Sequence, residues 1–162
     1  MKIGRGIKTV IELSGGACLI ALAGLTLTAV IKRYFLNSPL PWAEEVQMLL
    51  LLWAVMLGGV IAAWERVALA IDFIHGLVPP AVKNALDKII LTVTALSMLP
   101  LVYYGWQLAL GAKSKMTNIL FIPYFYIDLA VPVGAAGIGL VSLAHLFNLI
   151  KQDQRKVDEE DY

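Results

Sequence analysis

Charged residues and cysteines are both scarce in this chain, and each shortage excludes a class of protein. Lys, Arg, Asp and Glu make up 15% of the sequence and leave a formal charge of +1. Since no dense cluster of Lys and Arg is present, nucleic acid is excluded as a partner. Cys18 is the single cysteine, so the chain cannot form an internal disulfide or supply the paired thiols of a membrane disulfide oxidoreductase. A phosphate-binding P-loop pattern is also missing.

Apolar residues, by contrast, are in excess. They make up 59% of the chain, against roughly 45–50% in soluble domains, and the mean hydropathy is +0.76. This composition predicts an all-α integral membrane protein. A spanning helix needs about 20 apolar residues, so 162 residues hold four spans, short loops and tails. We therefore expect a single membrane domain over residues 1–162.

The positions of the spans follow from the apolar runs. Four runs predict membrane helices at about residues 9–31, 42–64, 86–110 and 123–150. The segment between the second and third runs mixes charged with apolar residues and contains Pro79-Pro80, which predicts an amphipathic connector on the membrane surface. Residues 151–162 are charged at nearly every position and predict a solvated tail. The first run is too long for a signal peptide and lacks a clear cleavage site, which favours a retained span.

The distribution of Lys and Arg predicts the orientation. Three precede the first span, two follow it, three follow the second, two follow the third, and three lie after the fourth. Four spans put the first, third and fifth of these segments on one side, with nine positive charges against four. The positive-inside rule then places both termini in the cytoplasm. The stretch from Arg33 to Glu45 then faces the periplasm or the cell exterior.

Glu44 and Glu45 stand at the start of the second span, where two adjacent carboxylates require a physical reason. Acidic residues in the first turn interact favourably with the helix dipole, which explains at least one of them. The other interpretation is an ion pair with Arg33 or with a basic group on another subunit. A structural ion pair is favoured over a catalytic pair, because the sequence nearby offers no nucleophile or metal ligand.

The remaining polar residues near the spans also have two interpretations each. Glu12 follows Lys8 by four residues, which predicts an ion pair on one helix face, with a buried, partner-facing role as the alternative. Asp128 is expected to reach water from the start of the fourth span, although a role in moving protons or sodium stays open. His75 and His145 could in principle ligate haem, but solvated or interfacial positions are favoured. No metal site or cofactor is predicted.

Several of these residues form a pattern that resembles the small membrane subunit of tripartite ATP-independent periplasmic (TRAP) transporters, the DctQ-like family. The pattern runs from an Arg-Tyr pair through a proline and a tryptophan to the two glutamates, then to a tryptophan and a glycine in the second span. It ends with two prolines and a glycine around the fourth span. These residues are Arg33, Tyr34, Pro39, Trp42, Glu44, Glu45, Trp53, Gly58, Pro123, Pro132 and Gly134.

The resemblance implies a non-enzymatic part of a sodium-coupled secondary transporter. In such systems a periplasmic binding protein captures an organic acid, such as a C4-dicarboxylate or sialic acid. A large membrane subunit moves the substrate by an elevator motion, and the small subunit packs against it. The resemblance therefore implies the large subunit, the binding protein and the lipid bilayer as partners. Two positions depart from the family pattern, Ala68 and Asp128.

Three functional hypotheses follow. The leading one is a scaffold that anchors the large subunit, because the spans carry few charges with which to bind an anion. The second is docking of the binding protein on the outer face, through residues Glu44, Glu45, Lys113, Lys115 and Asp128. The third is a small haem-binding or quinone-linked four-helix membrane protein that uses its two histidines.

Overall fold

The computed structural model describes the backbone of residues 2–65 and 80–147, and the side chains of residues 6–65, 86 and 88–147. Residues 66–79 of the predicted surface connector, which include His75 and Ala68, lie outside the described residues, as does the charged tail, whereas residues 80–85 of that connector belong to a described helix. The helices in the described ranges, with a 3-10 turn at Ala112–Ser114, are α1 (Lys2–Tyr34), α2 (Ala43–Glu65), α3 (Pro80–Gly111), α4 (Phe125–Asp128) and α5 (Ala130–Leu146).

Four stretches of the described chain are long and apolar enough to cross a membrane. They are Gly6–Tyr34, Ala43–Glu65, Lys88–Ser114 and Phe125–Leu146. This confirms the predicted all-α class with four transmembrane helices. The helices α1 and α3 contain 33 and 32 residues, which corresponds to about 50 Å at 1.5 Å per residue. Because the hydrocarbon core is only about 30 Å thick, both helices extend beyond the apolar runs that reveal them.

Three prolines lie within the described helices, and their positions explain the local geometry. Pro80 is the first residue of α3, where its missing N–H would lack a helical partner in any case. Pro100 lies inside α3, which continues through it. Pro132 cannot donate to the carbonyl of Asp128, four residues earlier. The helix is interrupted there at Leu129, which keeps a helical backbone (φ −60°, ψ −24°).

The helices of the described ranges pack as an open row. α1 packs on α2, α2 packs on α5, and α5 packs on α3. The two edge helices, α1 and α3, are therefore far less buried than α5, which lies between α2 and α3. An open row leaves most apolar surface of the edge helices facing lipid or another protein.

The interior of this row is built from small residues. Among the described apolar residues that are buried, six of nine are alanines, and Ile127 is the only large side chain with almost no exposure. Membrane helices associate through such small residues because lipid provides no hydrophobic drive for burying larger ones. The interior therefore consists of close helix contacts and contains no bulky apolar core.

The loop between α1 and α2 and the loop between α3 and α4 lie at the same end of the row. Glu45, two residues into α2, contacts the backbone of Ile119 and Leu120 in the second loop. We call this the outer end, following the orientation predicted from the Lys and Arg count, and the opposite end the inner end.

Candidate functional site

The loop between α3 and α4, residues 115–124, is closed by its own hydrogen bonds. The N–H of Tyr124 donates to the carbonyl of Lys115 at 3.0 Å, and the N–H of Thr117 donates to the carbonyl of Ile122 at 2.9 Å. The Thr117 hydroxyl, on a residue only 2% exposed, accepts the N–H of Ile122 at 3.0 Å. The loop is thus a narrow hairpin, and at its tip Phe121 adopts a positive φ of 52°.

Glu45 holds this hairpin against the start of α2. Its Oε1 accepts the N–H of Ile119 at 2.8 Å, and its Oε2 accepts the N–H of Leu120 at 2.9 Å. Both carboxylate oxygens are therefore used by backbone donors at the loop tip, and hydrogen bonds to an ionised acceptor are stronger than those between neutral groups. We call this contact the loop clamp. It joins two loops that are more than 70 residues apart in the sequence.

The expected ion pair between a glutamate and Arg33 does not occur in the described residues. The side chains of Arg33 and Glu44 are exposed, and the carboxylate of Glu45 belongs to the loop clamp. The alternative, a basic group on another subunit, remains a prediction for Glu44. Beside these residues Asn37 has a positive φ of 49°, a conformation that Asn tolerates and that commonly ends a helix. It lies just beyond the end of α1.

Trp53 makes a second link between α2 and the start of the fourth span. Its indole Nε1 donates to the carbonyl of Tyr126 at 3.0 Å. A tryptophan N–H in an apolar setting is stabilised by such an acceptor. The loop clamp therefore holds the loop hairpin against the start of α2, and this bond holds α4 against α2 further along the helix.

Close contact between α2 and α5 depends on glycine. A Cβ added at Gly134 would lie 2.6 Å from the Cβ of Met56, and one added at Gly137 would lie 2.7 Å from a Cγ of Val60. Real Cβ atoms essentially never approach other atoms so closely, so a side chain at either glycine would push the two helices apart. We call these two contacts, Gly134 on Met56 and Gly137 on Val60, the glycine seam. On the other side of α5, Gly105 of α3 packs less tightly on the ring of Pro132, where an added Cβ would lie 3.2 Å from Cδ.

An ion triad joins α1 and α2 near the inner end. The Lys8 ammonium lies 3.3 Å from the Glu12 carboxylate, which confirms the predicted pair, and 3.0 Å from that of Glu65. The second contact could not be predicted from sequence spacing. It ties the start of α1 to the end of α2.

His145 is buried within the protein, so the expectation of a solvated histidine is wrong for this residue. The residue is 2% exposed, and its Nε2 lies 3.0 Å from the carbonyl of Trp64. A carbonyl only accepts, so Nε2 carries the proton in this contact. Trp64 lies in the last turn of α2, where carbonyl groups have no N–H partner within the helix. The Nε2–H of His145 donates to this carbonyl instead. The role is structural, joining α5 to α2.

The other predicted residues fall into two groups. The inward group holds the row together and comprises Glu45, Trp53, Pro132 and Gly134. The outward group is exposed and comprises Arg33, Tyr34, Pro39, Trp42, Glu44 and Gly58. Tyr34 is 75% exposed, Trp42 is 38% exposed, and the space around Gly58 is open. Pro123 pairs with Met116 at the base of the loop hairpin. Of the residues predicted for docking, Lys113 lies 5.2 Å above the Phe125 ring, and Lys115 and Asp128 line a groove at the outer end.

Some of the exposed apolar residues on each edge helix recur every seven positions. On α1 these are Leu13, Ile20, Leu27 and Tyr34, and on α3 they are Ile89, Leu96, Tyr103 and Leu110; each is at least 40% exposed. Residues seven apart lie on nearly the same face of a helix. Each edge helix therefore presents a continuous apolar stripe away from the row.

No cluster of three His, Cys, Asp or Glu residues that could hold a metal ion occurs in the described part of the chain. The partners of the loop clamp could not be identified from the sequence, because backbone N–H groups carry no sequence signal. Gly134 is part of the family pattern, but that pattern does not indicate which helix it contacts. Nothing in the sequence could identify Met56 and Val60 as the side chains opposite Gly134 and Gly137.

Comparisons with known proteins identify relatives over most of the chain. The family described as "Tripartite ATP-independent periplasmic transporters, DctQ component" matches residues 22–152. The chain is 25% identical over 151 residues to the sialic acid TRAP transporter small permease protein SiaQ of Vibrio cholerae, covering 90% of this chain and 84% of SiaQ. It is also 25% identical over 122 residues to the sialic acid TRAP transporter permease protein SiaT of Haemophilus influenzae. That match covers 75% of this chain but only 20% of SiaT.

Proposed function

This chain belongs to the DctQ component family of TRAP transporters, and from that premise we propose that it is the scaffold subunit of a sodium-coupled TRAP transporter for an organic acid. Members of the family are transporter components of the inner membrane and not enzymes. In the proposed role the chain anchors the static part of a large, elevator-type membrane subunit. It does not itself bind the substrate or the coupling ion.

The observation that carries this proposal is the position of the charges. Within the described spans, residues 13–31, 46–64, 89–112 and 129–144 contain no Asp, Glu, Lys or Arg. Charged residues inside a membrane mark the paths of ions and anionic substrates, and here they are confined to the helix ends. Within these ranges, Gln47 donates to Thr26 and Trp53 donates to the carbonyl of Tyr126, so both contacts join one part of the chain to another. Glu45 and His145 do the same just outside them.

The exposed apolar surface of the edge helices favours packing against a large partner protein. Two apolar stripes lie on the edge helices, and the outward group of family residues makes no contact within the described chain that would account for it. The match to one fifth of SiaT supports a role beside a larger permease component. The names of both relatives favour sialic acid among the carboxylates, with a C4-dicarboxylate as the other candidate; the partners are a large membrane subunit and a periplasmic binding protein.

Reconstitution tests the scaffold role. The large subunit is placed in liposomes with or without this chain, and uptake of labelled substrate is measured in the presence of the binding protein and a sodium gradient. We expect uptake to fall strongly without the chain. Substrate affinity of the binding protein, measured by calorimetry, should stay constant. Uptake at full rate by the large subunit and binding protein alone would refute the scaffold.

A second candidate function is docking of the binding protein at the outer end. The observation in its favour is that the contact of Glu45 with the loop hairpin brings Glu44 to the same end of the row as Lys113, Lys115 and Asp128. If this is the docking surface, Lys113→Glu and Glu44→Lys should each weaken binding of the binding protein to the assembled complex. Arg5→Glu, at the inner end, serves as the control. Unchanged affinity and uptake in both outer-end variants would exclude docking through these charges.

A further inference from the structure

A groove at the outer end lies between the last turn of α3, the loop hairpin and α4. Its volume is about 760 Å³, within the roughly 300–1,000 Å³ of pockets that hold small ligands. The polar residues that line it are Gln107, Lys115, Tyr124 and Asp128, and the apolar ones include Leu108 and Met116. None of these belongs to the loop clamp or to the glycine seam.

Lys115 and Asp128 bring opposite charges into this groove without pairing with each other or with another described residue, since the ion pairs of the described chain involve Lys8 only. Asp128 is half-buried and Lys115 is exposed. A carboxylate that is partly removed from water and lacks a cation is stabilised by one. The two residues together therefore match a ligand that carries both a positive and a negative group.

The position of the groove identifies the source of such a ligand. It lies where α3 ends and the fourth span begins, and the exposed aromatic residues Tyr103, Tyr104 and Trp106 lie within about one helical turn of Gln107 in the sequence of α3. Aromatic residues of this kind mark the level of the lipid headgroups. Leu108 and Met116 are 60% and 56% exposed and give the groove an apolar wall on which the first part of an acyl chain can lie.

We propose that this groove binds a phospholipid whose headgroup carries a primary ammonium and a phosphate, the chemistry of phosphatidylethanolamine. The ammonium donates to the Asp128 carboxylate, and the phosphate accepts from Lys115 and from the polar groups of Gln107 and Tyr124. A quaternary ammonium has no N–H to donate, and a glycerol headgroup has no cation, so phosphatidylcholine and phosphatidylglycerol each lack half of the match. The proposal is independent of the scaffold role.

Native mass spectrometry of the full chain, purified together with its membrane partner, tests this site. The protein is mixed with equal amounts of phosphatidylethanolamine, phosphatidylglycerol and phosphatidylcholine of the same acyl chains. We expect the ethanolamine lipid to be retained in excess. Asp128→Asn should remove that excess, a change of up to about five-fold for an exposed ion pair, while Asp128→Glu should keep it.

Two further variants separate the site from general lipid binding. Lys115→Gln should reduce retention of all three phospholipids, because each has a phosphate. Lys113→Gln removes a neighbouring charge that lies over the Phe125 ring and does not line the groove, so it should leave the pattern unchanged. Equal retention of the three lipids by the unmodified chain, no effect of Asp128→Asn, or the same loss in Lys113→Gln would each overturn the proposal.

A soluble competitor distinguishes a lipid from a free zwitterion. Glycerophosphoethanolamine carries the same headgroup without acyl chains. If the groove binds lipid, millimolar competitor should leave the bound ethanolamine lipid in place, because the acyl chain contributes to affinity. Displacement by the competitor would contradict a lipid ligand and assign the groove to a small soluble molecule.

Discussion

Gly137→Ala tests whether the row is held together by the glycine seam. The new Cβ would lie 2.7 Å from a Cγ of Val60, about 1 Å closer than the 3.5–4.0 Å of an ordinary carbon–carbon contact. Val60 is 4% exposed, and a valine in a helix has one strongly preferred rotamer, so its side chain cannot turn away. α2 and α5 must therefore separate.

The free energy of unfolding should fall by about 1–3 kcal/mol, as it does for other overpacked contacts. For chains of 150–250 residues this corresponds to a melting temperature lower by roughly 2–4 °C per kcal/mol, hence about 2–12 °C. Gly24→Ala is the matched control, because nothing lies within 4 Å of a Cβ at that position. Both variants replace a glycine by alanine within a membrane helix, so the gain from the higher helix propensity of alanine is the same in each. It cancels when their melting temperatures are compared.

The assay is thermal unfolding of the purified chain in detergent, followed by tryptophan fluorescence and by the fraction that stays monodisperse. The double variant Gly137→Ala with Val60→Ala removes the colliding atoms. A double-mutant cycle should show that the two changes compensate each other in part. If Gly137→Ala melts at the same temperature as Gly24→Ala, α2 and α5 do not meet at this glycine, and the packing order of the row is wrong.

Three other predictions concern the clamp, the exposed glycine and the ion triad. In Glu45→Gln only one side-chain oxygen remains to accept the two N–H groups of the loop tip. Hydrogen exchange at these amides should therefore become faster, whereas Glu44→Gln should leave the exchange rate unchanged. Gly58→Leu should keep the melting temperature of the chain, because the position is open, yet lower the yield of complex with the large subunit; equal yields would place this face against lipid. Lys8→Met should lower the free energy of unfolding by at most about 1 kcal/mol. If the loss of stability persists in high salt, the triad acts through packing and not through charge.

The four spans could be predicted because apolar runs of about 20 residues have few alternatives in a chain this hydrophobic. Helix ends were less predictable. α1 extends from Lys2 to Tyr34 and α3 starts at Pro80, since a helix continues into the headgroup region where apolar composition no longer marks it. The pair between Lys8 and Glu12 followed from spacing, whereas the contact with Glu65 depends on how two helices meet.

The family pattern includes Glu45 and Trp53 but does not reveal what either side chain contacts. Glu45 was expected to pair with a side-chain charge, and instead it binds backbone N–H groups more than 70 residues away. Such donors are present at every non-proline residue and so cannot be located from sequence. His145 was expected near water because its helix ends nearby, but the opposite carbonyl of Trp64 allows it to be buried.

The open row of helices has a consequence for how anything crosses the membrane. A closed ring of helices can enclose a lumen, whereas helices that pack in the order α1, α2, α5, α3 have two faces and enclose no lumen in the described residues. Any water-filled route along this chain would need a second wall, which only another protein can provide. This geometry predicts that liposomes containing the chain alone stay tight to sodium and to carboxylates, and an electrical leak measurement would show it.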